Sequence, residues 1–201
     1  MEKPFSLACE RNQGPILSAI KPALENVHDV LEIGSGTGQH AVYFAQHMPW
    51  LNWQCSDVLG NLAGINLWVD DANLGNLLTA VELDVSKTSI RHQYEAIYSC
   101  NTLHIMSKHQ VKDFFNLIST ITDHHPDLFI YGPFNYQGKF TSGSNGEFDR
   151  WLKEQKTESG IRDFEWVNDL AENIGFALVD DKPMPANNRL LHWHHSNKHI
   201  V

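Results

Sequence analysis

A chain of 201 residues holds one core and leaves no room for a second one with a linker between them. Hydrophobic residues make up 42% and charged residues 19%, which excludes disorder on compositional grounds. Fifteen Lys and Arg against 24 Asp and Glu give a net charge of −9 with His neutral, and no basic run interrupts it. That balance argues against a protein that grips nucleic acid through its phosphates and fits small or cationic partners better.

No stretch approaches the ~18 uncharged apolar residues of a membrane span, and Met1 to Arg11 returns to charge before a signal-peptide core can form, so a soluble, cytoplasmic protein is expected. Cys9, Cys55 and Cys100 are odd in number and lack CxxC spacing, which suits reduced thiols packed as small hydrophobes.

In chain order, Pro15 after Gly14 reads as a helix start, with Ile16, Leu17, Ile20 and Leu24 on one face and a kink or restart at Pro22. Val30 to Ile33 is a buried strand, stopped by Gly34-Ser35-Gly36-Thr37-Gly38 and followed by helical spacing from Ala41 to Met48. Leu51 to Ser56 is a second strand ending at Asp57, and a helix carrying Leu62, Ile65 and Val69 follows it. Leu77 to Leu83 is a third strand ending at Asp84, and Ala96 to Cys100 a fourth.

A helix from Lys108 to Thr122, a fifth strand from Leu128 to Tyr131 and a long loop from Phe134 to Asn145 come next. Helices are expected near Gly146 to Lys156 and from Asp163 to Asn173, a strand from Gly175 to Val179, breaks at Pro183 and Pro185, and a last strand from Arg189 to His195. Seven strands with helices between them imply an α/β, doubly wound, Rossmann-like and mostly parallel sheet, with the last two strands antiparallel neighbours at one edge.

The chemistry concentrates at Glu32-Ile33-Gly34-Ser35-Gly36-Thr37-Gly38, a glycine loop between a strand and a helix, where backbone can pass close to a ligand. A dinucleotide fingerprint, GxGxxG, would put its third glycine at Gln39, so NAD chemistry is the weaker reading. The GxGxG spacing behind a carboxylate resembles motif I of the class I S-adenosylmethionine (SAM) dependent methyltransferases.

That resemblance implies SAM as cofactor, with Glu32, Gly34, Ser35, Gly36 and Gly38 around it. It further implies that Asp57 accepts hydrogen bonds from the ribose hydroxyls and that Asp84 meets the adenine amino group. Taken singly, Asp57 and Asp84 are also ordinary residues for a strand-to-helix junction.

In such a fold the residues after the fourth strand, Asn101-Thr102-Leu103-His104-Ile105-Met106, face the reactive methyl. His104 is the candidate base, because proton removal near neutral pH suits imidazole. The alternative is a histidine that caps the next helix or packs beside the sheet. Asn101 is a candidate to bind cofactor or substrate.

No Asp/Asn-Pro-Pro-Tyr/Phe tetrapeptide or Pro-Cys pair of nucleic-acid methyltransferases is present, so a small-molecule methyl acceptor is expected. His192-Trp193-His194-His195 has strand spacing for metal ligation but no accompanying cluster, and an edge strand with exposed polar residues explains it more simply; no metal is expected.

Glu10-Arg11-Asn12 ahead of Gly14-Pro15-Ile16-Leu17, Gly132-Pro133-Phe134 to Gly138-Lys139, Ser144-Asn145 with Phe148-Asp149, Gly160-Ile161-Arg162-Asp163 and Met184 to Asn188 together resemble the methyltransferase-like 26 group, also called domain of unknown function 938. The likeness spans nearly the whole chain and implies the same fold and SAM-type site, with no substrate attached. Arg11, Asn12, Asn145, Arg162, Asp163, Asn187 and Asn188 fall in expected loops or element ends. There they are candidates to close over cofactor and substrate as a lid, or serve as turn and cap residues. A non-catalytic SAM-binding protein is the remaining alternative.

Overall fold

The computed structural model describes residues 2–87 and 90–195. Among the described residues, nine strands and six helices follow one another: α1 (Leu7–Ile20), β1 (Asp29–Ile33), α2 (Gln39–His47), β2 (Asn52–Asp57), α3 (Leu59–Ala72), β3 (Leu77–Glu82), β4 (Tyr94–Cys100), α4 (Lys108–Ile121), β5 (Thr122–Gly132), β6 (Phe134–Asn135), α5 (Gly143–Gln155), β7 (Arg162–Asp163), α6 (Phe164–Asn173), β8 (Phe176–Met184) and β9 (Asn188–His195). Seven of the strands form one α/β sheet in the order β3-β2-β1-β4-β5-β9-β8, and β6 pairs with β7 in a parallel two-stranded ribbon. The pairings from β3 through β5 are parallel, while β9 runs antiparallel to both β5 and β8.

Alternation along the strands sorts the core into two layers, because successive side chains leave opposite faces. Val30, Trp53, Tyr98 and Phe129 pack with Ile16, Phe44 and Ile65 of α1, α2 and α3. Leu31, Ile97, Leu128 and Trp193 pack with Phe114 of α4 and Val167 of α6 on the other side. The chain passes from β1 outward to β3 and returns to β4 on the other side of β1, so a crevice opens above the β1 and β4 carboxyl ends, where open α/β sheets take ligands.

Several elements differ from the sequence reading, among them β5, which begins at Thr122 rather than Leu128 and takes the last residue of the expected helix. Helix α1 begins at Leu7, where the Ser6 side chain accepts from the Cys9 N–H, and runs through Pro15 rather than starting at it. Its first two turns carry no apolar stripe, as the 57% exposure of Leu7 shows, and tertiary contacts of Ser6 and Asn12 hold them instead. Pro22 sits in the 3₁₀ turn Lys21–Leu24.

Helix α5 starts at Gly143 behind a Ser142 cap, and β6 takes the first two residues of the expected 134–145 loop. Strand β8 continues through Pro183, which the sheet edge tolerates because no further strand requires its N–H. Strand β9 is interior rather than an edge: Trp193 is fully buried, while His192 Nε2 and His194 Nδ1 lie 2.7 and 3.1 Å from the same Asp127 oxygen.

The loop after β4 is tied off by a capping box: Ser107 Oγ accepts from Gln110 N at 3.1 Å and Gln110 Oε1 accepts from Ser107 N at 3.0 Å. Ser107→Ala is expected to cost about 1 kcal/mol of stability, read as a lower thermal midpoint. An unchanged midpoint would show that α4 does not depend on that cap. Among the described residues no helix is long and apolar enough to cross a membrane, and no group of three or more His, Cys, Asp or Glu is placed to hold a metal.

Candidate functional site

The crevice above β1 and β4 holds a cavity of about 680 Å³ whose walls include Glu32, Gly34, Ser35, Gly36, Asp57, Asn101, His104 and Asn145. Its floor is the glycine loop. Gly34, Gly36 and Gly38 all have positive φ, and a Cβ on Gly34 would stand 2.8 Å from the Thr102 side chain, so the loops after β1 and β4 touch only because residue 34 has no side chain. Gly34 N and Ser35 N both donate to Ser56 O at 3.0 Å, and Ser35 Oγ accepts from Ser56 N at 3.1 Å, which locks the loop to β2.

Asp57 completes that lock. Its Oδ2 accepts from Gly36 N at 2.7 Å, and its Oδ1 accepts from Val58 N at 2.8 Å and Asn61 Nδ2 at 2.9 Å. A carboxylate oxygen has two lone pairs, so Oδ2 keeps acceptor capacity beyond its loop bond. Glu32 lies beneath, 1% exposed, accepting from Trp53 Nε1 at 3.2 Å. Burial pushes its carboxyl up to about 7, with the nearby Asp57 charge adding in the same direction, while the Trp53 and Ser35 hydrogen bonds oppose the rise.

Across the cavity, Asn101 ends β4 with φ of 56°, the left-handed region that Asn tolerates better than most, and its N–H donates to Tyr131 O at 2.8 Å. His104 is 7% exposed and meets Phe148 of α5 edge to face, with ring centroids 5.3 Å apart. Its ring makes no hydrogen bond to a described residue, and burial, followed by the Arg162 charge, lowers its pKa to about 4. The imidazole is therefore neutral at physiological pH, with a lone pair free to accept a hydrogen bond.

The other expected site residues fall in different places. Gly38 sits under the first turn of α2, packed on Ile65. Asp84 is outside the cavity wall at the end of β3, the edge strand of the sheet on that side, where it pairs with Lys87 at 2.9 Å and accepts from Ser86 N at 3.1 Å; the Lys87 hydrogen bond holds its carboxyl low. Arg11 is exposed on α1. Arg162 is 6% exposed and lines a separate cavity of about 630 Å³, with Asp163 beside it.

Asn145 Nδ2 donates to Thr141 Oγ1 at 2.9 Å and to Asn187 O at 3.2 Å, tying α5 to the β8–β9 turn, from which Ala186 and Asn188 reach the cavity wall. Asn12 points inward instead: its Oδ1 is 2.6 Å from His40 Nε2, and Tyr98 OH lies 3.4 Å from His40 Nδ1. That spacing makes His40 the donor to Asn12 and the acceptor from Tyr98, and burial lowers its pKa to about 4.

His40, Ser6, Cys9 and Phe148 line the cavity without having stood out as site residues in the sequence, and Thr102 lines it within the segment expected to do so. His40 alone carried a readable signal, its place in the first turn of the helix after the glycine loop. The segment before α1 is pinned across the site's flank: Ser6 N donates to Gln39 Oε1 at 2.5 Å, Trp68 Nε1 donates to Pro4 O at 2.6 Å, and Lys3 meets Asp71 at 2.5 Å. Cys9 and Cys100 also face the cavity, and burial pushes both thiols up.

The family described as "Protein of unknown function (DUF938)" matches residues 3–195. The chain belongs to that family. Its α/β fold is similar to that of solved methyltransferases. An O-methyltransferase family protein from Burkholderia thailandensis superimposes with a TM-score of 0.83 at 13% identity, covering 94% of this chain and 57% of that one. Mitomycin 7-O-methyltransferase MmcR gives 0.81 at 13%, covering 94% and 54%. Human N-acetylserotonin methyltransferase, solved in complex with SAM, gives 0.79 at 13%, covering 94% and 53%. The chain spans about half the length of these neighbours.

Proposed function

We propose that this DUF938 protein binds SAM in the cavity above β1 and β4 and transfers its methyl group to a small, uncharged or cationic acceptor. The methyltransferase-like 26 resemblance and the SAM complex of a neighbour of like fold support the reading. The observation that carries it is the convergence of the glycine loop, Asp57 and His104 on one cavity of about 680 Å³, within the range that takes a drug-sized ligand.

The residues fit the cofactor. The glycine loop allows close backbone approach, Oδ2 of Asp57 retains a lone pair for a ribose hydroxyl, and Asn101 stands at the carboxyl end of β4. Among the described lining residues the only acidic side chains are Glu32 and Asp57 and none is Lys or Arg, a balance that suits a sulfonium cation and disfavours a phosphorylated or carboxylated acceptor.

SAM supplies an electrophilic methyl on sulfur. The protein's own task is to hold the acceptor in line with that methyl, exclude water and accept the acceptor's hydrogen bond, which His104 does in its neutral form. Asn145, Asn188 and the segment before α1 close the cavity's sides.

Calorimetric titration of the purified protein with SAM, S-adenosylhomocysteine and NAD tests the reading. Both adenosyl compounds are expected to bind and NAD to stay silent. Silence from SAM and S-adenosylhomocysteine would leave the chain a methyltransferase fold without its cofactor.

A further inference from the structure

His104 and Ile105 stand in a short loop, residues 103–106, between β4 and the cap of α4. A loop of this kind is normally hydrated at its carbonyls. Here one remote segment takes every one of them. Arg162 Nε donates to Leu103 O at 3.2 Å, Gly160 N donates to His104 O at 2.8 Å, Ser159 Oγ donates to Ile105 O at 3.0 Å, and Arg162 Nη2 donates to Met106 O.

The gripping segment is itself held. Arg162 Nη2 also donates to Glu158 O at 2.9 Å, Ile161 N donates to Asp149 Oδ1 at 2.8 Å, and Arg162 pairs with Phe134 across the β6–β7 ribbon. Gly160 has φ of 154°, and a Cβ there would stand 2.8 Å from Asp149 Oδ1, so only glycine lets the segment lie this close to α5.

A guanidinium at 6% exposure that is spent on main-chain carbonyls is a costly way to close a turn. The cost is reasonable where a side chain on the gripped loop must keep its place.

We infer that residues 158–162 form a strap whose function is to position His104 and Ile105 on the cavity wall, with Arg162 and Gly160 as its positioning residues. The inference rests on the proposed methyl-transfer site only for the identity of what His104 faces. Three of the five Arg162 donors, the Nε hydrogen and both on Nη2, go to carbonyls, two of them on the gripped loop, so its grip acts on the site through the loop. Its charge acts in the same sense, since it stands next to burial among the causes that keep the His104 ring neutral.

The test is a histidine-ring NMR titration, with His104 assigned by the His104→Asn spectrum, on wild type, Arg162→Met, Arg162→Lys and Ser159→Ala. Each sample is also titrated with S-adenosylhomocysteine. A positioning strap predicts that Arg162→Met raises the His104 midpoint above its wild-type value near 4 and weakens S-adenosylhomocysteine about tenfold. Arg162→Lys, which keeps the charge and loses the fork, and Ser159→Ala are expected to shift both readouts in the same direction by less.

If the variants lower the thermal midpoint yet leave the His104 titration and the affinity at wild-type values, the strap is a fold element and the inference fails. Should Arg162→Met not fold, Arg162→Lys and Ser159→Ala decide the matter by the same readouts. If S-adenosylhomocysteine binds none of the proteins, including wild type, the cofactor reading falls while the His104 titration still decides the strap.

Discussion

Asp57→Ala is expected to weaken SAM and S-adenosylhomocysteine binding roughly 10- to 100-fold, a loss of about 1.5–3 kcal/mol. Two losses add up. The acceptor for a ribose hydroxyl disappears, and the donors now satisfied by that carboxylate, Gly36 N at 2.7 Å and Asn61 Nδ2 at 2.9 Å among them, lose their partner, so the glycine loop loosens in the apo protein as well.

Asp57→Asn separates the two effects. Its amide oxygen still serves one side of the lock, but its NH₂ group opposes the donors on the other, either the Gly36 N–H and the ribose hydroxyl or the Val58 N–H and the Asn61 amide. An intermediate loss is therefore expected from Asn, measured by calorimetry alongside thermal unfolding. Wild-type affinity in Asp57→Ala would remove Asp57 from the cofactor site.

Stability against pH is expected to peak near 6.5 and to fall on both sides, for opposite reasons. Glu32 titrates at about 7 in the folded protein against an ordinary 4.5, so the native state binds more protons than the unfolded chain across that window and stability drops as pH rises through it. His40 and His104 titrate at about 4 against 6.5, so the unfolded chain binds more protons there and stability drops as pH falls from 6.5 toward 4. Two histidines outweigh one glutamate below 6.5.

Every tenfold change in proton affinity on folding is worth ~1.4 kcal/mol, so each of the three groups moves stability by roughly 3 kcal/mol. Glu32→Gln keeps an acceptor for Trp53 Nε1 and abolishes the loss through pH 7, so at pH 8 it should raise the melting temperature by roughly 5–10 °C and steepen the acid limb, where Glu32 no longer offsets the two histidines. An unchanged alkaline limb in that variant would place the proton elsewhere.

The fold was legible because a parallel α/β sheet writes itself in short apolar runs ended by Gly or Asp. β1, β2, β4 and β9 were read from such runs to within a residue or two. Helix α1 was misjudged at its start because Pro15 looks like an N-terminus and the turns before it bury Asn12 in place of an apolar stripe. Strand β8 ran past Pro183 because edge position, a property of the assembled sheet, decides whether a proline is tolerated.

At the site, Glu32, Asp57, Asn101 and His104 stand where local order alone puts them, at strand ends. Asp84 also follows a strand end as expected, but local order does not say that it stands outside the cavity wall, and Arg162 could not be placed locally at all. The direction of Arg162 depends on a loop 56 residues distant in sequence, and that of Asp84 on a turn with Lys87 at the sheet's far side. The His40–Asn12 contact likewise joins two elements whose juxtaposition no local pattern announces.

Cys9 and Cys100 line the cavity assigned to SAM, and a thiolate beside a methyl sulfonium is itself a competent acceptor. Burial is the first cause raising both thiols, and for Cys100 the rise is large, so neither offers an appreciable thiolate near neutral pH. On the proposed function, the burial that raises these thiols doubles as protection against self-alkylation by a bound methyl sulfonium.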